Sequence, residues 1–141
     1  MKLIYNSIIP FKGFKAMCIW PLVFVRKDAN IIVTDIQHEQ IHGYQQREMH
    51  ATSAVLMLTM ACVGLIPLLW VLISPLVYFA LYVAEYAIRL FAYRFNRKEA
   101  YRNISCEQEA YLNQNNAFYT TQRKPFTHLR YLFRKTYVKN K

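Results

Sequence analysis

Only three of the 141 residues are glycine and three are cysteine, and each scarcity removes a class of protein. With so few glycines there is no phosphate-cradling loop. Cys18, Cys62 and Cys106 are odd in number and widely spaced, so neither a disulfide framework nor a cysteine-rich metal site is indicated, and reduced thiols facing the cytoplasm are expected. Cys106 reads first as a small buried hydrophobe, though it could touch a metal from beside Glu107; a fourth protein ligand from Cys106, Glu85 or His128 would mark the alternative, a non-catalytic membrane protein with a structural or sensory zinc site. Acidic residues are sparse, 8 against 18 Lys and Arg, which leaves a net charge of +10. No zinc finger or RNA-binding aromatic motif accompanies that excess, so no nucleic-acid partner is expected. The basic residues lie beside apolar segments, which points to an anionic lipid membrane as partner. The opening MKLIYNSIIPFKGFK lacks a small-residue cleavage site and does not read as a signal peptide.

Charge is missing altogether from Ala51 to Ala84, over 34 positions. One membrane span needs about 20 residues, so this length suits two shorter apolar helices joined near Gly64, Pro67, Ser74 and Pro75. The first continues from the preceding helix through about Val63. The second returns toward Arg89, Arg94, Arg97 and Lys98, placing both basic ends on one side, which the positive-inside rule makes cytoplasmic. An apolar membrane hairpin over 51–93 is therefore expected, crossing a thin bilayer or dipping into it. The alternative is a helical hairpin buried in a homodimer. Within it, Glu85 stands four residues before Arg89, the favourable order for a helical ion pair, and is a reserve metal ligand.

What is present is concentrated in Val33 to His50, VTDIQHEQIHGYQQREMH. On a helix, His38 and His42 project from one face a turn apart, and Glu39 points about 100° away. Two neutral imidazoles take two positions of a tetrahedral Zn2+, and a third protein ligand leaves the fourth for a water of lowered pKa. Glu39 then stands where a general base is needed. The plain alternative is a pair of surface histidines on a charged helix. Thr34 or Asp35 is the expected cap, with Gln37 as capping-box partner of Thr34. A metzincin would require Gly at 45 and His at 48, where this chain has Gln45 and Glu48.

Residues 1–32 read as a β-rich N-terminal part. Lys15 to Trp20 and Leu22 to Arg26 are rich in β-branched and aromatic residues, and Pro21 interrupts them. Such a small sheet serves either as a substrate-binding edge near the metal helix or as a structural ribbon packed on it. Downstream, Asn103 or Ser105 can cap a helix over 103–120 with Glu107 in its first turn, sharing a face with Ala110 and Tyr111 while Glu109 lies opposite. A site with two histidines still needs a carboxylate, and Glu107 is the expected third ligand. The remainder, 123–141, spaces Phe126, Leu129, Phe133 and Tyr137 among basic residues, as a basic amphipathic tail suited to a membrane surface or as a solvated helix. His50 and His128 read as lone surface histidines that could meet a developing oxyanion.

With HEQIH and EQEAY in view, the chain resembles the gluzincin zinc metallopeptidases, most nearly the HtpX and CAAX-prenyl-protease type and the peptidase domain of BlaR-type sensors. The resemblance spans roughly residues 30 to 120. In those proteins HExxH is followed by hydrophobic helices and an E-x-E-A-D motif, here Glu107-Gln108-Glu109-Ala110-Tyr111. The resemblance implies Glu107 as ligand, Glu39 as catalytic base and a peptide or protein substrate. It also implies a second-shell role at position 111, where Tyr replaces the family's Asp and would hold an imidazole N–H less strongly than a carboxylate. The chain is further similar to small bacterial HExxH membrane proteins, which implies the bacterial inner membrane with the active site on its cytoplasmic face. The expected whole is a single domain, 1–141, mainly α with a small N-terminal β-hairpin or sheet. Its zincin-like helix pair would carry an apolar helical hairpin between the two motif helices, and its short length would invite a second copy, a homodimer, to complete a cleft.

Overall fold

The computed structural model describes residues 1–11 and 13–134. The chain is mainly helical with a small three-stranded N-terminal sheet. Strand β2 (Ala16–Ile19) and strand β3 (Leu22–Arg26) form the hairpin expected around Pro21, and β1 (Lys2–Asn6) joins the far side of β3 in parallel, so β3 is central. Alternation puts Ala16, Cys18, Val23 and Val25 on one face, where Leu3 and Ile31 close a small core. The sheet backs onto the next helix. Cys18 carbonyl accepts from Gln46 Nε2 at 2.8 Å, and Trp20 N–H donates to Gln46 Oε1 at 2.8 Å. The Cys18 carbonyl of β2 and the Trp20 N–H just after it are thus engaged by the helix.

That helix, α1 (Val33–Cys62), runs 30 residues, about 45 Å. Its cap differs from the expected one. Ile32 is the N-cap, and Asp35 reaches back to accept from its N–H at 3.1 Å, so Thr34 and Gln37 form no capping box. The acidic side chain in the first turn does both jobs, filling an orphan donor and complementing the dipole. Gly64, at φ +76°, ends the helix. Its N–H reaches the Ala61 carbonyl and that of Leu65 reaches Met60, a left-handed stop that glycine adopts without strain.

A 3₁₀ segment (Leu68–Ile73) turns the chain into α2 (Leu76–Ala92), which returns along α1 and is followed by α3 (Arg97–Arg102), α4 (Ser105–Asn113) and α5 (Tyr119–Gln122). The glutamate helix is therefore shorter than 103–120. Ser53 Oγ donates to the Ser74 carbonyl at 3.1 Å and pins the hairpin's base. Tyr78, Ile104 and Cys106 form a second core with Tyr82 and Tyr101 packed against it.

The membrane-spanning hairpin and the inner-membrane location inferred from it are not upheld: among the described residues no helix is long and apolar enough to cross a membrane. The uncharged run is divided among three elements. Ala51 to Cys62 of α1 rises only about 18 Å, the 3₁₀ segment reverses direction, and the 17 residues of α2 include Glu85 and Arg89. A hydrocarbon core is about 30 Å thick.

The amphipathic tail also departs from expectation. Thr127–Tyr131 is a short 3₁₀ turn against α4, and Arg123 and His128 are drawn inside. Tyr137 lies outside the described residues.

Candidate metal centre

One face of the first half of α1 and the first turns of α4 are buried, and most of what they bury is polar: Gln37, His38, His42, Gln45 and Gln46 on one, Glu107, Gln108 and Glu109 on the other. Ala110, fully buried, allows the two helices to approach. His38 Nε2 and His42 Nε2 stand 3.1 Å apart, and Glu107 meets them at 3.3 Å through Oε2 and 3.2 Å through Oε1. The three ligand atoms lie within 4.8 Å of one another, a group that could hold a metal ion.

Hydrogen bonding behind the imidazoles tests whether a cation fits. Gln45 Nε2 donates to the Cys106 carbonyl at 3.1 Å and to Glu109 Oε2 at 3.0 Å, which orients its Oε1 toward His42 Nδ1 at 2.9 Å. An amide oxygen only accepts, so Nδ1 carries the proton and Nε2 offers a lone pair. His38 Nδ1 faces Gln114 Oε1 at 2.9 Å, with the same result. Two imidazole Nε2 atoms and a carboxylate therefore converge, and a neutral ring offers its lone pair there. Glu107 Oε2 has no hydrogen-bond donor despite its burial. Acceptors facing one another in a buried site need a cation between them.

Electrostatics record the same demand. Burial alone would lower the His42 imidazole, yet the Glu107 carboxylate, supported by Glu39 and Gln45, raises it to about 9. Burial alone would raise Glu107, but His42 and His38 hold it well below the usual carboxylate range. A proton on His42 thus does part of the work of a metal. Glu39, half-buried on the neighbouring face of α1, is raised by burial against the lowering effect of the two histidines.

Further groups fix Glu107 itself. Tyr82 donates to Oε1 at 2.7 Å, and burial together with the carboxylate pushes the phenols of Tyr82 and Tyr101 upward. Glu85 is not a metal ligand here. It pairs with Arg89 at 3.0 Å and accepts from Ser105 N–H at 2.9 Å and Oγ at 2.6 Å, which caps α4 from outside and sets its first turn. Glu109, facing away from the triad, joins Gln45, Tyr119 and Arg123, and Arg123 also pairs with Glu48.

Of the sequence candidates, His38, His42, Glu107 and Glu39 come together. Tyr111 touches them by its ring, edge-on to His38 with centroids 4.7 Å apart, with its phenol raised to about 12 by burial and then by Glu107. The imidazole partner sought at position 111 is Gln114, one turn later. His50 packs against Trp20, and His128 is buried among Glu109, Arg123 and Glu48. Sequence reasoning missed Gln45, Gln114 and Tyr82. The signal for the amides was their spacing: Gln45 is three residues after His42 and Gln114 seven after Glu107, each on the ligand's face. No family model matches the chain, and neither curated proteins nor solved structures yield a match.

Proposed function

We propose that the chain is a zinc metallopeptidase of the gluzincin type, with α1 and α4 as its zincin-like helix pair and the apolar hairpin inserted between them. The observation that carries this reading is the convergence of two imidazole Nε2 atoms and one carboxylate beside Glu39, with no fourth protein ligand in the group among the described residues. Two nitrogens and an oxygen suit zinc, and three protein ligands are the catalytic rather than the structural pattern. Two residues that could have closed the site lie outside the group: Glu85 is bonded to Arg89 and Ser105, and His128 is buried near Glu109, Arg123 and Glu48.

His38, His42 and Glu107 would hold the ion, which when bound supplies Lewis acidity toward a water and a peptide carbonyl. Glu39 takes a proton as the water oxygen adds to the carbonyl carbon. It then delivers that proton to the amine nitrogen as the C–N bond breaks, yielding a carboxylic acid and an amine. Its burial raises its proton affinity toward the range such a shuttle needs. Gln45 and Gln114 keep both imidazoles in the ligating tautomer.

The test is hydrolysis of a mixed-sequence peptide library by zinc-loaded protein, wild type beside Glu39→Gln. The expected result is cleavage by wild type and a loss of about 10²-fold or more in the variant with zinc still bound. Full activity in zinc-bound Glu39→Gln, or no cleavage by zinc-loaded wild type, would overturn the reading.

A further inference from the structure

A cavity of about 360 Å³ opens onto the triad, and it is polar at one end only. Glu39, His42 and Glu107 form that end. Most of the remaining wall is apolar, with Met17 from β2, Phe79 and Val83 from α2, and the Tyr101 ring from α3; Gln46 also lines it, but its amide is already bonded to the Cys18 carbonyl and the Trp20 N–H. At the mouth stand Phe11 and Phe14, carried there by the segment between β1 and β2. They are 69% and 44% exposed, and Phe14 meets Tyr101 in a T-shaped contact. Nearby phenols do not make the wall polar, because Tyr82 spends its O–H on Glu107 and Tyr78 on Gln45.

We propose that this cavity receives a bulky apolar side chain of the substrate, at the residue flanking the bond that is cut. The substrate class is thus a peptide or protein with a large aromatic or aliphatic residue at the cleavage point. The assignment of the occupant as a substrate side chain rests on the metallopeptidase reading. Size supports it, since the cavity lies at the small end of ligand sites and suits one side chain with its adjoining backbone rather than a folded partner. Charge supports it as well. Among the described residues no Lys or Arg lines the wall, so an acidic side chain would surrender its hydration without a partner, and the carboxylates Glu39 and Glu107 stand only at the end that the reacting backbone would occupy. A ring entering there would cover the apolar surface that Phe11 and Phe14 leave open, and its backbone carbonyl would lie toward the His42 and Glu107 end.

The test uses the full chain loaded with zinc and two probes, acetohydroxamate and 3-phenylpropanohydroxamate, compared by calorimetry. The phenyl probe is expected to bind roughly tenfold to a hundredfold more tightly. Val83→Trp, which fills the mouth from an exposed position, should bring the ratio near one, and Val83→Gln should lower it partway. Equal affinities in wild type would overturn the inference while leaving the metal site intact. If no zinc is bound, the metallopeptidase reading fails instead. The cavity is then judged in metal-free protein with benzyl alcohol, where shifts of the Phe79 and Tyr101 ring signals retain an apolar ligand site and their absence overturns it.

Discussion

The two halves of α1 invert the usual rule of burial. From Val33 to His50 the helix is rich in amides, histidines and acids, and it holds every buried residue of α1 except Ser53; from Ala51 to Cys62 it is uncharged, and it is largely exposed. A surface helix ordinarily turns its apolar stripe inward. Here burial follows hydrogen-bond partners instead. Gln37, His38, His42, Gln45 and Gln46 each find a partner on another element or within the helix, and leaving such a group unmet would cost about 1–3 kcal/mol. The polar half is therefore specified group by group. The apolar half, continued by the 3₁₀ segment and α2, presents Leu56, Leu65, Leu69 and Leu72 outward under no comparable constraint.

The contrast can be broken most severely at Arg123. Its side chain, 1% exposed, neutralises Glu109 and Glu48 together. Arg123→Met should strand both carboxylates and lower stability by about 3–5 kcal/mol, read by urea unfolding. A loss under 1 kcal/mol would show that the polar interior is not what specifies this half.

The second effect is one of pH. In metal-free protein the His42 imidazole is raised to about 9 from an ordinary 6.5, so the folded state binds the proton more tightly than the unfolded state. The stability it contributes is fully present below about pH 6.5 and is lost as pH rises through about 9. Urea unfolding in chelator should show that decline, and His42→Gln should flatten it. Zinc must displace the same proton, so its affinity should rise over the same window.

Smaller still is the loss behind His38. Gln114→Leu should weaken zinc binding by about 10- to 100-fold in a competition assay, whereas Tyr111→Phe, which keeps the ring against His38, should weaken it less. At the bottom of the scale, Leu69→Gln and Leu72→Gln should each change stability by no more than about 0.5 kcal/mol. A large loss at either would mean that the apolar arm is packed and that the contrast between the halves is overstated.

Much of the site was legible because its chemistry needs residues at fixed helical spacing. HEQIH fixed the faces of His38 and Glu39, and EQEAY placed Glu107 in a first turn. The hairpin was legible in the β-branched runs around Pro21, while nothing in Lys2–Asn6 told that it would pair in parallel with β3 on the side away from β2. The supporting groups were hidden for a different reason. An amide such as Gln45 or Gln114 usually faces water, and only the arrangement of α1 against α4 gives it an imidazole to hold. Arg123 read as one basic residue of a solvated tail, because its two carboxylate partners lie 14 and 75 residues away. The membrane span failed for a geometric reason: an uncharged run counts residues along the chain, whereas a span requires them along one axis.

The central claim is that a metal ion belongs between His38, His42 and Glu107. Its most direct test is metal stoichiometry by elemental analysis of protein purified with zinc available, wild type beside His42→Ala, Glu107→Ala and, as a control away from the site, His50→Ala. The expected result is one zinc per chain in wild type and in His50→Ala, and none in the other two. No zinc in wild type, or zinc retained by Glu107→Ala at wild-type level, would contradict it.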